Sequence, residues 1–194
     1  QNLLQLNQVL IPELLNVQLV KIWDVIFVIH SNRLIKYLLP DGNELIIHAQ
    51  VINTLLSHTQ KKFSDPESGG FLLGYENKKS SSIIVEDVTI PQKEDRKSST
   101  HFMIKDNAHI NFLEKAEVEK SFFLGTWHTH PQDYVTPSIT DWKDWKKSRK
   151  KERPGARYMI FIIVGRKEIG VWCVDMTTIF KRATKLVKKV GEQH

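Results

Sequence analysis

Only one cysteine, Cys173, occurs in 194 residues. A lone thiol excludes an internal disulfide framework and any cysteine-built zinc cluster. It sits in the apolar run 171–174, so a buried and inert thiol is expected. Long hydrophobic runs are missing too. The most apolar stretch, residues 17–29, carries Lys21 and Asp24, too much charge for so short a span. No small-residue cleavage site of a signal peptide accompanies it. The expected location is the cytoplasm, without a membrane partner. There is no internal repeat and no low-complexity segment. The net charge of +6 comes largely from clusters at 143–153 and 181–189. These lack the interleaved aromatics and glycines of an RNA-binding sheet, so they read as solvated faces and argue against a nucleic-acid partner. His-x-Glu with Pro-Cys-x-x-Cys, the signature of a zinc nucleobase deaminase, is absent as well.

What remains is a chain of single-domain length, with 41% hydrophobic residues to build a core. Leucines at 3, 6, 10 and 14 have helical spacing, interrupted by Pro12. Residues 1–30 are set apart as an N-terminal extension without an assigned role, and 31–194 as the domain. The turn sequence Pro40-Asp41-Gly42-Asn43 predicts a hairpin over 33–47. Residues 49–60 have helical periodicity. Strands are expected at 69–75 and 82–90, and a polar loop at 92–99. A helix over 106–120 is expected to start on Asp106 and to turn Ile110, Leu113 and Val118 inward. A central strand over 121–130, a helix over 138–151 and two strands over 157–164 and 168–175 follow. The last twenty residues fit strand or helix equally. Strands mixed with two or three helices give an α/β or α+β sandwich.

Trp127-His128-Thr129-His130-Pro131 is followed by Ser138 and Asp141. Side chains at i and i+2 of a strand point to one face, roughly 7 Å apart, so two imidazoles can converge on one ion. Trp127 and Thr129 then face the core. A straight strand cannot supply a third tetrahedral ligand, but the excursion to residue 140 lets Asp141 return from the first turn of a helix. Asp133 is a rival third ligand, on a much tighter turn. Three protein ligands with one open position make a hydrolytic zinc site rather than a structural one. Ser138 and Asp141 also spell a capping box, which would account for both without a metal. The two roles are compatible.

A base is needed beside such an ion. Glu67 is the candidate, between Pro66 and the double glycine Gly69-Gly70 where a strand begins. Ser138 Oγ is placed to donate a hydrogen bond to a developing oxyanion. Trp142 and Trp145 follow Asp141 on the expected helix, either buried or forming an aromatic wall for a peptide. Gly69, Gly70 and Phe71 are candidates to pair with a substrate strand.

Glu67 with Gly-Gly-x-Leu-x-Gly, then His128-Thr129-His130-Pro131, Ser138 and Asp141, resembles the JAMM (MPN/Mov34) metalloproteases over about residues 67–174. The resemblance implies a cytidine-deaminase-like three-layer α/β/α domain with a mixed sheet. It implies a zinc isopeptidase, with His128, His130 and Asp141 as ligands, Glu67 as general base and Ser138 steadying the tetrahedral intermediate. The run 125–131, Thr136-Pro137-Ser138, Trp145 and Phe102-x6-His109 look most like bacterial members encoded beside E1/E2-like conjugation proteins in antiphage CBASS operons. Those resemble deconjugases that free the C-terminal tail of a cGAS-like nucleotidyltransferase from a target lysine. A ubiquitin-like substrate, a sulfur-carrier precursor and a non-catalytic MPN scaffold are the other functions such a domain serves.

Overall fold

The computed structural model describes residues 34–178 and 182–189. The helical spacing at 3–14 and the extension 1–30 lie outside the described residues. Among the described residues, no helix is long and apolar enough to cross a membrane.

The chain runs β1 (Ile35–Leu38), β2 (Glu44–Ile47), α1 (Ala49–Ser57), β3 (Gly69–Glu76), β4 (Ile83–Val88), β5 (Arg96–Ser98), β6 (His101–Met103), α2 (Ala108–Val118), β7 (Phe122–Thr129), α3 (Ile139–Lys151), β8 (Tyr158–Val164), β9 (Ile169–Asp175), β10 (Thr184–Lys185) and β11 (Val187–Lys188). Nine strands form one sheet in the order β10-β9-β8-β7-β3-β4-β2-β1-β11, and β5 and β6 form a separate hairpin. The β2–β4 and β7–β8 pairs are parallel; the others are antiparallel. This is the expected mixed α/β architecture.

The first hairpin forms where the sequence signals it. Gly42 takes φ +85° in its turn, a left-handed conformation that costs glycine nothing. Strand β8 shows how the two faces arise. Its residues are buried throughout, and period-two geometry splits them between two clusters. Ile160, Ile162 and Val164 join the larger cluster, where Val51 and Leu55 of α1 pack. Met159, Phe161 and Ile163 join the smaller one, where Trp145 of α3 packs and Leu113 of α2 rests. Trp145 stacks on Phe161 with ring centroids 4.5 Å apart and planes 14° off parallel. Truncating it is expected to cost about 3–5 kcal/mol.

The C-terminal segment, undecided by sequence, is two short strands on opposite sheet edges. Thr184 pairs with Cys173 of β9, and Lys188 pairs with Tyr37 of β1. Only Leu186, buried in the larger cluster, lies between them, so the sheet curls until its edges meet there. Cys173 is buried, as expected, and burial pushes its thiol up to about 12.

Two expectations are corrected. Residues 92–99 are not merely a loop, because β5 pairs in register with β6, Arg96 facing Met103 and Ser98 facing His101. Three exposed polar residues carry no apolar alternation to announce a strand. In α2, Ile110 is 44% and Val118 79% exposed, whereas His109 is fully buried. The His109 ring is held between Thr89 Oγ1 (2.6 Å) and Asp95 Oδ2 (2.8 Å), so hydrogen bonding rather than apolar periodicity sets which face turns inward. Asp106 does stand at the helix start, where its carboxylate accepts from Ala108 N.

Candidate functional site

Strand β7 is flanked by β3 and β8, and its C-terminal end is where the chain leaves the sheet for α3. Trp127 (1% exposed) and Thr129 (fully buried) face inward as expected. His130 N donates to Val164 O, which holds the outgoing chain beside β8. Helix α3 then begins with Ser138 as its N-cap. Ser138 Oγ accepts from Asp141 N at 3.1 Å while the Asp141 carboxylate accepts from Ser138 N, a complete capping box. That reciprocal pair fixes the rotamer of Asp141 and aims its carboxylate back at the strand end.

The geometry of convergence is tight. His128 Nε2 and His130 Nε2 lie 3.1 Å apart. Asp141 Oδ1 is 3.1 Å from His128 Nε2, and Oδ2 is 3.4 Å from His130 Nε2. Zinc with bonds of about 2.0–2.1 Å sets tetrahedral ligands about 3.3–3.4 Å apart. The two ring nitrogens and the nearer carboxylate oxygens come within a few tenths of an ångström of that spacing, so the group could hold one small cation. Among the described residues, these three are the one His/Cys/Asp/Glu group that converges this way. Asp133 is elsewhere, paired with Arg166 and Lys167 at 2.7 Å each.

The pairing of β3 with β7 brings Glu67 in. Gly69 lies opposite His128, and the same antiparallel register continued for two residues sets Glu67 opposite His130. Ser68 and Thr129 continue the pairing: Thr129 N donates to Ser68 O, and Ser68 N donates to Thr129 Oγ1. Glycine is required at position 70, because a Cβ there would meet Thr89 O at 2.1 Å. Glu67 itself is 5% exposed. Burial pushes its carboxyl up to about 7, with His130 pulling it down and Asp141 adding to the rise. Burial opposes ionisation of Asp141 too, yet hydrogen bonds from His128, His130 and Ser138 hold it far below the usual carboxylate range. Burial works against a charged His130, but Asp141 and Glu67 leave its pKa raised.

A cleft of about 550 Å³ opens from this cluster, lined by Glu67, His128 and Asp141 at one end. Strand β6 and Ile110 and Leu113 of α2 form one wall; the later turns of α3, including Trp145, Lys147 and Lys151, form the other. Of the sequence candidates for substrate contact, Gly70, Phe71 and Trp145 line the cleft; Gly69 and Trp142 do not. The cleft-facing stripe of α3 runs through Asp141, Asp144, Trp145 and Ser148, at helical spacing. Trp142 is off that stripe, 44% exposed, its ring edge-on to Trp145 at 5.1 Å. Gly69 is covered by the Phe102 ring. Strand β3 has no free edge from Phe71 onward, because β7 takes one side and Thr89 and β4 the other. The open edge along the cleft belongs instead to β6, whose one strand partner among the described residues is β5.

A family model described as prokaryotic homologs of the JAB domain matches residues 48–177. A protein of Escherichia coli named "CD-NTase/cGAS isopeptidase" is 30% identical over 148 residues, covering 75% of this chain and 91% of that protein. Proteins of the same name from Vibrio cholerae and Pseudomonas aeruginosa are 28% and 30% identical. The first match covers 71% of this chain and 88% of the relative, the second 68% and 84%.

Proposed function

This chain belongs to the family of prokaryotic homologs of the JAB domain, and from that premise we propose that it is a zinc-dependent isopeptidase. Its substrate is the bond after the C-terminal tail of a conjugated protein, a cGAS-like nucleotidyltransferase joined to a target lysine. The observation that carries the reading is the convergence of His128, His130 and Asp141 beside a buried Glu67 at the head of a cleft. A scaffold that only assembles partners has no need of a complete ligand set, a base and a cleft together. Residues 31–194 act as the catalytic domain. The names of the curated relatives support the substrate class, and E1/E2-like conjugation proteins, an antiphage operon and the cytoplasm are the setting that goes with it.

His128 Nε2, His130 Nε2 and an Asp141 carboxylate oxygen would hold the zinc. When bound, it supplies Lewis acidity that polarises a carbonyl and makes water nucleophilic at neutral pH. Glu67 takes the proton of the attacking water on its carboxylate and returns it to the leaving lysine amine. Burial raises the Glu67 carboxyl above the ordinary glutamate range, which favours its taking a proton from water. Ser138 Oγ accepts from Asp141 N, and its own hydrogen is left to donate to the oxyanion of the tetrahedral intermediate. The apolar wall and the free edge of β6 suit an extended tail, which would add a strand there.

The test is a purified conjugate of such a nucleotidyltransferase incubated with the protein, with and without chelator. Cleavage that stops on chelation and in Glu67→Ala, with zinc still bound in the variant, is expected. Undiminished hydrolysis by Glu67→Ala would remove the mechanism.

A further inference from the structure

Gln60 lies outside every motif discussed above. It follows α1 in the chain, 68 residues before the first ligand, yet it is only 1% exposed. A buried amide must satisfy three or four hydrogen-bonding groups locally. Gln60 does so by touching three separate segments. Its Nε2 donates to Asp65 O at 2.7 Å and to Ser99 O at 3.3 Å. Its Oε1 accepts from Thr129 Oγ1 at 3.1 Å. The orientation of the amide is forced, because two of the partners are carbonyls that can only accept.

Each contact bears on the site. Asp65 is two residues before Glu67. Thr129 is the residue between the two histidines, and its hydroxyl, having given its proton to Gln60, accepts from Ser68 N at 2.9 Å. Glu67 N donates to Ser98 O at 2.8 Å, beside the Ser99 carbonyl that Gln60 also holds. One side chain therefore clasps the segment before Glu67, the strand that carries His128 and His130, and the hairpin that walls the cleft. We propose that Gln60 is a positioning residue for the hydrolysis: its carboxamide sets the distance between the Glu67 carboxylate and the histidine pair. This rests on the isopeptidase reading above.

Misplacing a base by about 1 Å costs on the order of 10²-fold in rate. Gln60→Leu keeps the volume and removes all three bonds. In this variant kcat falls about 10- to 100-fold and KM changes less, because the bond to the hairpin is the longest of the three. Zinc affinity stays within about twofold, since Asp141 is held by its own capping box. If Gln60 acts through Glu67, the two effects do not add. On a Glu67→Gln background, Gln60→Leu should lower the residual hydrolysis less than twofold. Equal losses on both backgrounds, or loss of zinc, would overturn the proposal.

Amide hydrogen exchange gives a readout independent of turnover. The Glu67 and Ser68 amides should exchange at least tenfold faster in Gln60→Leu than in wild type, and unchanged exchange would overturn the clasp. If Gln60→Leu does not fold, Thr129→Val removes the linking hydroxyl alone and is read against the same outcomes. Wild-type protein that cleaves no conjugate with zinc refutes the isopeptidase reading, while the exchange result still decides the clasp.

Discussion

Among the described residues, two clusters join histidine to aspartate, and they are built in opposite ways. Around His109, the ring is fully buried and both nitrogens are taken, one by Thr89 Oγ1 and one by Asp95 Oδ2. Asp95 also collects the amides of Gln92, Lys105 and Asp106. Around His128 and His130, two ring nitrogens face one another 3.1 Å apart and share one carboxylate. The first cluster is complete without a guest. The second gathers two ring nitrogens and one carboxylate around a common point on a cleft. Residue types alone do not distinguish the two clusters; what distinguishes them is that His109 has a separate partner for each ring nitrogen, whereas His128 and His130 share one carboxylate.

Substitutions sharpen that contrast. His128→Ala and Glu67→Ala should each abolish cleavage, by about 10³-fold or more. The first should also lose zinc, measured by metal content after dialysis, and the second should keep it. Metal-free His128→Ala should unfold within about 1 kcal/mol of the metal-free parent. His109→Leu reverses the pattern. It takes the imidazole from the buried Thr89 hydroxyl and one of four hydrogen bonds from the Asp95 carboxylate, which keeps its three backbone amides, at a cost of about 1–3 kcal/mol, seen as a Tm lowered by several °C, with zinc stoichiometry unchanged. A His109→Leu protein of normal stability would contradict the assignment.

Ser138→Ala is the intermediate case, because Ser138 belongs both to the helix cap and to the site. Its kcat should fall about 10²-fold through the lost oxyanion donor, with about 1 kcal/mol of stability from the lost cap. A stability loss without any rate loss would leave the capping role alone.

The last contrast is in pH dependence, where the two clusters carry opposite signs. Despite its burial, Asp95 is held down to about 2 by hydrogen bonds from Lys105, Gln92, His109 and Asp106. Its contribution is present above the ordinary 3.8 and fades as pH falls toward 2. Glu67 is raised from 4.5 to about 7, so the folded protein keeps a proton that the unfolded chain releases. Its contribution is fullest below 4.5 and declines as pH rises to about 7. Urea unfolding of the metal-free protein should show that decline, and Glu67→Gln should flatten it.

How much of this was readable from sequence follows the same division. The convergence of His128, His130 and Asp141 was legible because spacing on a strand, then on the first turn of a helix, fixes direction; Ser138 and Asp141 even announced their own capping box. Glu67 was legible only beside that motif and through the family resemblance. The β5–β6 hairpin was not, since Arg96, Lys97 and Ser98 are exposed and polar, and its pairing makes the cleft wall without contributing to the core. The inward face of α2 was misread because a buried histidine outweighed apolar spacing. Gln60 carries no local signal at all. Its role arises from partners at 65, 99 and 129, brought together only by the folded sheet.

The most direct test is a crystal grown with zinc and measured on both sides of the zinc absorption edge. One strong anomalous peak is expected, bonded at about 2.0–2.2 Å to His128 Nε2, His130 Nε2 and an Asp141 carboxylate oxygen. No peak there, with the two imidazoles hydrogen-bonded to protein groups as His109 is, would contradict the account.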